Sequence, residues 1–351
     1  MYIYTDRGWA PLRRLLALWI AVTILLLPVA GRAKATDAPP VVPARAYLLM
    51  DAASGQVLYA HEGEAQLPMA STTKIMTAIL ALERGKMDDV VTAGQKPYDT
   101  GGSTIYLDLG EQRTLQELLF ALMLESANDS AVAIAEHLGG TEEKFVELMN
   151  AKALEIGATN THFVNSHGLH DHNHYTTAHD LALIARYAMQ NPEFRKLVTT
   201  EEATIPGFKP TDEPRHLHSH NQLLGYYEGV TGVKNGYTEE ALLTNVASAQ
   251  RGDTELIAVV LGAENYLWTS SMQLLDYGFS HFQSLRIVQK GDAAGQELDS
   301  VAVTAEQAVP DAEKPEVTAP GKADRSWLWL LVAALPLVLL ALLNRRKRSL
   351  S

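Results

Sequence analysis

The sequence predicts an α+β fold, in which one antiparallel sheet packs against helices that include a helical subdomain. Apolar, strand-like runs lie near both ends of the central region, at residues 46–60 and 241–261. Between them, apolar residues recur at the spacing of amphipathic helices. Strands and helices that are separated along the chain in this way are typical of α+β domains. A chain of 351 residues, of which 47% are hydrophobic, is long enough to bury such a core.

The predicted strands form two pairs. Residues 46–51 and 56–60 are separated by an Ala-Ser-Gly turn signal, which predicts a hairpin. Residues 241–249 and 255–261 form two further strand-like runs. The periodicity of apolar residues predicts helices at residues 71–84, 115–124, 130–138, 142–156, 178–189 and 267–277.

The N-terminus has the pattern of a secretory signal. Three arginines precede an apolar run at residues 15–27, and Ala33 and Ala35 supply the small residues that a signal peptidase requires. We therefore expect residues 1–35 to be a signal peptide and the body of the protein to be exported. An uncleaved membrane anchor is the alternative, and it leads to the same export. The Pro- and Ala-rich residues 36–45 are predicted to be a linker.

The C-terminal region predicts attachment to a membrane. We expect a globular domain at residues 46–285, followed by a tether at residues 286–326 that can include a remnant β segment. Residues 301–325 of this tether are rich in Ala, Glu, Val and Pro. Residues 327–344 are apolar and long enough to span a bilayer. The basic tail at residues 345–351 is predicted to be cytoplasmic, which places the domain on the extracytoplasmic face of the cell membrane.

The composition excludes some functions. A formal net charge of −12 argues against a nucleic-acid partner, because phosphate binding requires a basic face. The chain has no cysteine, so a metal site would have to use histidine or carboxylates. His216, His218 and His220 alternate as they would on one face of a strand, where they could bind zinc. No acidic partner is spaced as in a known zinc motif, and we expect neither a metal nor a cofactor.

A candidate nucleophile lies at the start of the first predicted helix, in the pattern S-x-x-K. Residues i and i+3 share a helix face, so the amine of Lys74 can reach the hydroxyl of Ser71. A serine hydroxyl needs a neighbouring base, and a lysine can serve once burial or nearby cations lower its pKa. The N-terminus of a helix also favours developing negative charge. The alternative is that Ser71 only caps the helix.

A second candidate pair, Ser126 and Asn128, lies between two apolar helical runs. Two polar side chains on such a connection can point into one cleft more easily than they could from within a helix. A polar turn between helices is the alternative interpretation. The pair therefore indicates a functional site only when it is considered together with the other motifs.

A third segment, consisting of Lys234, Asn235, Gly236 and Tyr237, directly precedes a strand-like run. A glycine at a strand edge lets the backbone of a substrate approach closely. The ammonium group of Lys234 is then available to a carboxylate. We expect this segment to form one wall of a substrate cleft.

The three motifs, in this order, resemble the signature of penicillin-binding proteins and class A β-lactamases. The chain resembles the low-molecular-mass D-alanyl-D-alanine carboxypeptidases in particular, from about Ala46 to Phe282. Further stretches that carry the resemblance are residues 70–78, Gly168 with Leu169, residues 174–178 and residues 275–279. The resemblance implies a β-lactamase/transpeptidase-like fold and a penicillin-binding catalytic domain at residues 46–285. It also implies peptidoglycan stem peptides as substrates and β-lactams as covalent inhibitors.

The resemblance implies three catalytic residues. Ser71 would attack the carbonyl carbon of the penultimate D-Ala, which forms an acyl-enzyme and releases the terminal D-Ala. Lys74 would be the general base for acylation, and Ser126 would help to relay the proton to the leaving amine. Water would then hydrolyse the ester.

The resemblance also implies how the substrate is held. Asn128 would bind the substrate amide, and Lys234 would hold the terminal carboxylate. The backbone N–H groups of Ser71 and Tyr237 would form the oxyanion hole.

Two residues depart from the family pattern. Asn235 stands where the family has Thr or Ser, whose hydroxyl would bind the substrate carboxylate; the Asn amide can still donate a hydrogen bond. Leu242 stands where a Gly is usual. Asn235 leaves open the alternative of a wall-binding protein with weakened catalysis. A β-lactamase, which the resemblance also covers, is the other alternative. Glu147 lies inside a predicted helix, so it is a poor candidate for a deacylating glutamate of the β-lactamase type.

Overall fold

The structure is a computed structural model that describes residues 38–292. The predicted signal peptide (1–35), the apolar segment at 327–344 and the basic tail at 345–351 lie outside the described residues, as do residues 293–326 of the predicted tether. Within the described residues, no helix is both long enough and apolar enough to cross a membrane.

The described residues form nine strands. Their bounds are β1 (Ala46–Asp51), β2 (Val57–His61), β3 (Val90–Thr92), β4 (Gln112–Thr114), β5 (Glu202–Ile205), β6 (Arg215–His218), β7 (Val230–Thr238), β8 (Leu242–Arg251) and β9 (Thr254–Ala263). Five of them make one antiparallel sheet in the order β2-β1-β9-β8-β7. Strands β3 and β4 form a small antiparallel pair, and β5 and β6 form another.

The large sheet is covered on both faces. On β1, Leu48 and Met50 belong to the core on the helical side, whereas Tyr47 and Leu49 belong to the core on the opposite side. This alternation follows from the period of two along a strand. Because both faces are buried, β1 appears in the sequence as a continuous apolar run and not as an alternating one.

Eight helices complete the described part of the chain. Their bounds are α1 (Lys74–Arg84), α2 (Gln95–Asp99), α3 (Leu115–Leu124), α4 (Asn128–Gly139), α5 (Glu142–Ile156), α6 (Ala178–Ala188), α7 (Pro192–Thr199) and α8 (Leu267–Asp292). Helix α8 packs against the sheet face that carries Tyr47 and Leu49.

Helix α1 lies at the centre of the helical side. Its residues from Lys74 to Ala81 are all buried, which is typical of a helix enclosed by neighbours. The turn that precedes α1 packs against β7, the last strand of the sheet. The beginning of α1 therefore lies where the helical half meets the edge of the sheet.

Most of the predicted elements are confirmed, with ends that differ by a few residues, but three details differ. The helix predicted from residue 71 begins as a turn of 3-10 helix, Ala70–Thr73. The last helix continues to Asp292, so the first residues of the predicted tether are helical. The segment from Lys234 to Tyr237 precedes β8 as predicted, but it also lies within a strand of its own, β7, that was not predicted. The polar, Gly-containing sequence of β7 is not one that predicts a strand. Such a sequence is tolerated here because β7 lies at the edge of the sheet.

Candidate active site

Ser71 lies in the tight turn that leads into α1. The preceding residue, Ala70, has a φ of 48°, in the left-handed region that side chains other than glycine seldom adopt. Gly168 permits another loop to approach this turn, because a Cβ at Gly168 would lie 2.0 Å from the carbonyl oxygen of Ala70. Ser71 itself is partly exposed, so a substrate can reach its hydroxyl.

Lys74 lies fully buried behind Ser71. Its Nζ is 3.1 Å from Ser71 Oγ, 2.7 Å from Asn128 Oδ1 and 2.6 Å from the carbonyl oxygen of His167. Burial, with a smaller contribution from the positive charge of Lys234, lowers the pKa of Lys74 well below its ordinary value. A neutral amine has two N–H groups, which suit the two carbonyl-type acceptors, and a lone pair that remains for the hydroxyl of Ser71. This geometry suits a general base.

Asn128, the first residue of α4, is held in one orientation. Its Nδ2 donates to the carbonyl oxygen of Gly101 at 2.7 Å, and its backbone N–H donates to the carbonyl oxygen of Ser103 at 2.7 Å. The next residue, Asp129, accepts backbone N–H groups from the same segment. The side-chain oxygen of Asn128 is therefore directed at Lys74, and one N–H of its amide remains for a ligand.

Ser126 lies in the connection between α3 and α4. It has a φ of 59° and is only 5% exposed. Its Oγ has no hydrogen-bond partner among the described residues. A buried hydroxyl without a partner is unfavourable, so a polar group of a substrate at this position would be stabilised by it.

Lys234 approaches from β7, on the other wall of the cleft. It is 2% exposed, and its Nζ donates to the carbonyl oxygen of Asn235 at 2.9 Å. Burial lowers the pKa of Lys234 to about 7. Lys234 has no carboxylate partner among the residues described, so an anionic ligand would supply the missing counter-charge.

The remaining residues of the third motif lie along the same edge. A Cβ at Gly236 would lie 2.6 Å from the backbone nitrogen of Ser71, so glycine keeps this space open. Tyr237 is 60% exposed, and Asn235, opposite Asn245 of β8, is partly exposed. The turn with Ser71 and the strand with Gly236 are thus in direct contact.

Two histidines support the site in ways that the sequence analysis did not find. The Nε2–H of His174 donates to Thr73 Oγ1 at 2.7 Å, because His174 Nδ1 accepts the N–H of Val164 and Thr73 Oγ1 donates to Ala70. Burial lowers the pKa of His174 to about 3, so it is neutral at pH 7. Both of its ring nitrogens are thus engaged, and it braces the turn that carries Ser71.

His167 contributes its backbone. The loop that holds its carbonyl against Lys74 is fixed by the buried Glu142, which accepts the N–H and the Oγ–H of Ser166. Burial and the charge of Lys74 lower the pKa of His167 to about 4. Neither Glu142 nor Ser166 could be found from the sequence, because they lie far along the chain from the residues that they support.

The possible metal ligands do not converge as the histidine spacing suggested. His216, His218 and His220 face three different neighbouring side chains. The potential ligand atoms that lie close together among the described residues belong to Glu64, His179 and Asp180. None of these is a residue that the sequence motifs singled out.

The comparisons with known proteins agree with this architecture. A sequence profile described as D-alanyl-D-alanine carboxypeptidase, peptidase family S11, matches residues 33–265. The D-alanyl-D-alanine carboxypeptidase DacF of Bacillus subtilis is 38% identical over 69% of this chain, and the match spans 63% of its own length, less than two thirds. DacC of Escherichia coli, of the same description, is 35% identical over 79% of this chain and 71% of its own.

Comparison with solved structures also finds D-alanyl-D-alanine peptidases of this fold. A D-alanyl-D-alanine carboxypeptidase from Mycobacterium tuberculosis has a TM-score of 0.66 and 32% identity, and the match covers 72% of this chain and 95% of the other. A mutant of the Streptomyces K15 DD-transpeptidase also has a TM-score of 0.66, with 31% identity over 69% of this chain and 99% of the other. The fold is thus that of the penicillin-binding serine peptidases. Within that class, the chain belongs to the D-alanyl-D-alanine carboxypeptidase family.

The predicted family, the α+β fold and the serine-peptidase class are confirmed by these matches. They also favour the predicted carboxypeptidase over a β-lactamase or a wall-binding protein that has lost catalysis.

Proposed function

We propose that the protein is a serine-type D-Ala-D-Ala carboxypeptidase that removes the terminal D-alanine from peptidoglycan stem peptides. The observation that carries this proposal is the position of Lys74, fully buried with its Nζ 3.1 Å from Ser71 Oγ. A lysine in that environment has the lowered pKa that a general base requires near neutral pH. Membership of the carboxypeptidase family supports the choice of substrate.

The first half of the reaction transfers the acyl group. Lys74 takes the proton of Ser71 as its oxygen attacks the penultimate D-Ala carbonyl, and the backbone N–H groups of Ser71 and Tyr237 bind the oxyanion. Ser126 passes the proton to the amine of the terminal D-Ala as the C–N bond breaks. The contact between Gly236 and Ser71, and the unpartnered Oγ of Ser126, support these roles.

Substrate recognition is assigned to four residues. Asn128 donates its free amide N–H to the stem-peptide backbone, and Lys234 supplies positive charge for the terminal carboxylate. Asn235 donates to that carboxylate in place of a hydroxyl, and Gly236 admits the substrate backbone. In the second half of the reaction, water adds to the ester, and Ser71 and the shortened peptide are released. β-Lactams, which resemble the D-Ala-D-Ala end, acylate Ser71 in the same way and leave slowly.

We also propose a location for the enzyme on the extracytoplasmic face of the cell membrane. We assign residues 1–35 to a signal peptide, residues 46–285 to the catalytic domain, residues 286–326 to a tether, and residues 327–344 to a membrane helix with a cytoplasmic tail. Support comes from the basic and apolar patterning of these segments and from the extracytoplasmic position of the substrate.

The test is the release of D-Ala from a diacetyl-Lys-D-Ala-D-Ala peptide, together with covalent labelling by fluorescent penicillin. The wild-type protein should release D-Ala and give a labelled band, and Ser71→Ala should abolish both. Ser54→Ala, a change in the β1–β2 turn, is the matched control and should leave both intact. Release of D-Ala by Ser71→Ala at the wild-type rate would exclude this mechanism.

A further inference from the structure

Three side chains that can bind a metal ion lie together at the start of α6, outside the serine cleft. One ligand atom each from Glu64, His179 and Asp180 lies within 4.8 Å of the other two. The Nδ1 of His179 is 3.0 Å from Glu64 Oε1. Zinc bonds to nitrogen and oxygen at about 2.1 Å, which places tetrahedral ligand atoms about 3.4 Å apart. The side chain of Glu64 is 65% exposed, so it is free to make the small movement that this spacing requires.

Asp180 is the buried member of the group. It is 1% exposed, and its Oδ2 accepts the backbone N–H of Asn160 at 2.7 Å and the hydroxyl of Thr161 at 2.9 Å. Among the residues that the structure describes, no donor reaches its Oδ1 and no lysine or arginine forms an ion pair with it. The N-terminus of α6 supplies only a partial positive charge. A buried carboxylate in this position favours a bound cation.

The backbone holds the other two members of the group beside Asp180. The N–H of His179 donates to the carbonyl oxygen of Gly63 at 3.0 Å, so the residue that precedes the glutamate is fixed to α6. Leu67 and Thr176 exchange two further backbone hydrogen bonds, of 2.8 and 3.0 Å. The segment after β2 and the start of α6 are thus joined side by side, and the three side chains meet where they join.

The chemistry of the group suits zinc. An imidazole with carboxylates is a ligand set for zinc and similar transition metals, whereas Mg²⁺ and Ca²⁺ prefer oxygen ligands alone. The chain has no cysteine, so no thiolate competes for the ion. Two carboxylates balance the charge of a divalent cation. Because the side chains of His179 and Glu64 are 33% and 65% exposed, water can complete the coordination from the open side.

We propose that Glu64, His179 and Asp180 form a zinc site that joins the segment after β2 to the start of α6. Two of the ligands come from the helix and one from the other segment, so the ion closes a link between parts of the chain that are far apart in sequence. That distance along the chain is also why no zinc motif is visible in the sequence. The proposal is independent of the function proposed above.

The ion supports the two segments that brace the serine turn. Residues 63–67 lead into the turn that carries Ser71. Helix α6 follows the loop that holds the carbonyl of His167 against Lys74 and the ring of His174 against Thr73. None of the three zinc ligands contacts these groups, so the ion acts on the stability of the fold and not on the chemical step.

The experiment measures Zn²⁺ binding to the purified full chain after a chelator has removed bound metal and has itself been removed. Competition with a chromophoric chelator gives the stoichiometry and the Kd, and melting followed by circular dichroism gives the Tm. The wild-type protein should bind one Zn²⁺ tightly, and Zn²⁺ at about 100 times the Kd should raise the Tm by about 5–10 °C. Glu64→Gln and His179→Ala should each weaken binding by more than about tenfold, since even loss of a partner outside the ligand set costs that much.

His172→Ala is the matched control, because it removes an exposed imidazole next to a carboxylate, that of Asp171, and leaves the group intact. It should bind Zn²⁺ as the wild-type protein does. Glu64→Gln alters an exposed side chain and serves as the test if the melting curve shows that His179→Ala does not fold. The same Kd for Glu64→Gln as for the wild-type protein would reduce Glu64 and His179 to an ion pair and overturn the site. An equal loss of affinity in His172→Ala, or a wild-type Tm that Zn²⁺ does not raise, would overturn it as well.

Discussion

The two buried lysines of the cleft, Lys74 and Lys234, differ in how completely the protein satisfies them. Lys74 has three oxygen atoms within 3.1 Å of its Nζ, which come from the turn before α1, from α4 and from the loop at His167. Lys234 has the carbonyl of the next residue. The helical wall of the cleft, formed by these three segments, thus surrounds its lysine with acceptors. The sheet wall, formed by β7, gives Lys234 no counter-charge among the described residues. A buried cation without a counter-charge is unfavourable, and a bound carboxylate would relieve that cost.

The largest effect should come from breaking the helical wall with Lys74→Arg. A guanidinium group stays protonated, so it cannot accept the Ser71 proton. We expect the rate of penicillin acylation to fall about 10³-fold, within the range of general-base contributions. Lys234→Arg, the same change on the sheet wall, keeps its positive charge and should cost much less. Acylation of Lys74→Arg within tenfold of the wild-type rate would show that Lys74 is not the base.

The second effect is a dependence of kcat/KM on pH through Lys234 of the sheet wall. The pKa of Lys234 is lowered to about 7, so it is charged below that pH and neutral above it. If the charge binds the substrate carboxylate, kcat/KM for D-Ala release should fall about tenfold per pH unit on the alkaline side. Lys234→Arg should move this fall to higher pH. Identical alkaline limbs in pH profiles of the two proteins would assign the fall to another group.

A smaller effect is expected at Asn235, which is adjacent to Lys234. Asn235→Thr introduces the hydroxyl that the family has at this position, and it should retain or raise D-Ala release, by up to about tenfold. Asn235→Val is nearly identical in shape to Thr but has no donor, so it should lower release. Steady-state kinetics of the three proteins measure the contribution of the donor. If Asn235→Val and Asn235→Thr release D-Ala at the same rate, the side chain at position 235 does not bind the carboxylate.

The smallest effect concerns the backbone of the sheet wall. Leu242 begins β8 with a φ of 57°, a left-handed conformation that costs an L-residue about 1 kcal/mol relative to glycine. Leu242→Gly should therefore be more stable than Leu242→Ala by about 1 kcal/mol, since both lose the side chain but only Gly relieves the strain. Urea unfolding of the two variants measures the difference. A more stable Ala variant would mean that the strain is absent in solution.

The helices on the helical side of the cleft could be predicted from the sequence, because apolar residues recur along them at helical spacing. The spacing of Ser71 and Lys74 was sufficient to predict their contact, and α5 was predicted at its observed bounds. The strand β7 was not predicted, because its Lys, Asn, Gly and Thr residues lack the apolar alternation that marks a strand. Its neighbours in the sheet, and not its own composition, make it a strand.

By itself, the sequence determined the family and the contact between Ser71 and the lysine three residues later, because these depend on short patterns and helical spacing. Only the tertiary structure decided that the carbonyl of His167 holds Lys74, that His174 braces Thr73, and that Gly236 touches Ser71. These contacts join segments that are far apart along the chain, and their geometry depends on packing between the sheet and the helices. Burial, which sets the pKa values of both lysines, likewise exists only once the chain has folded.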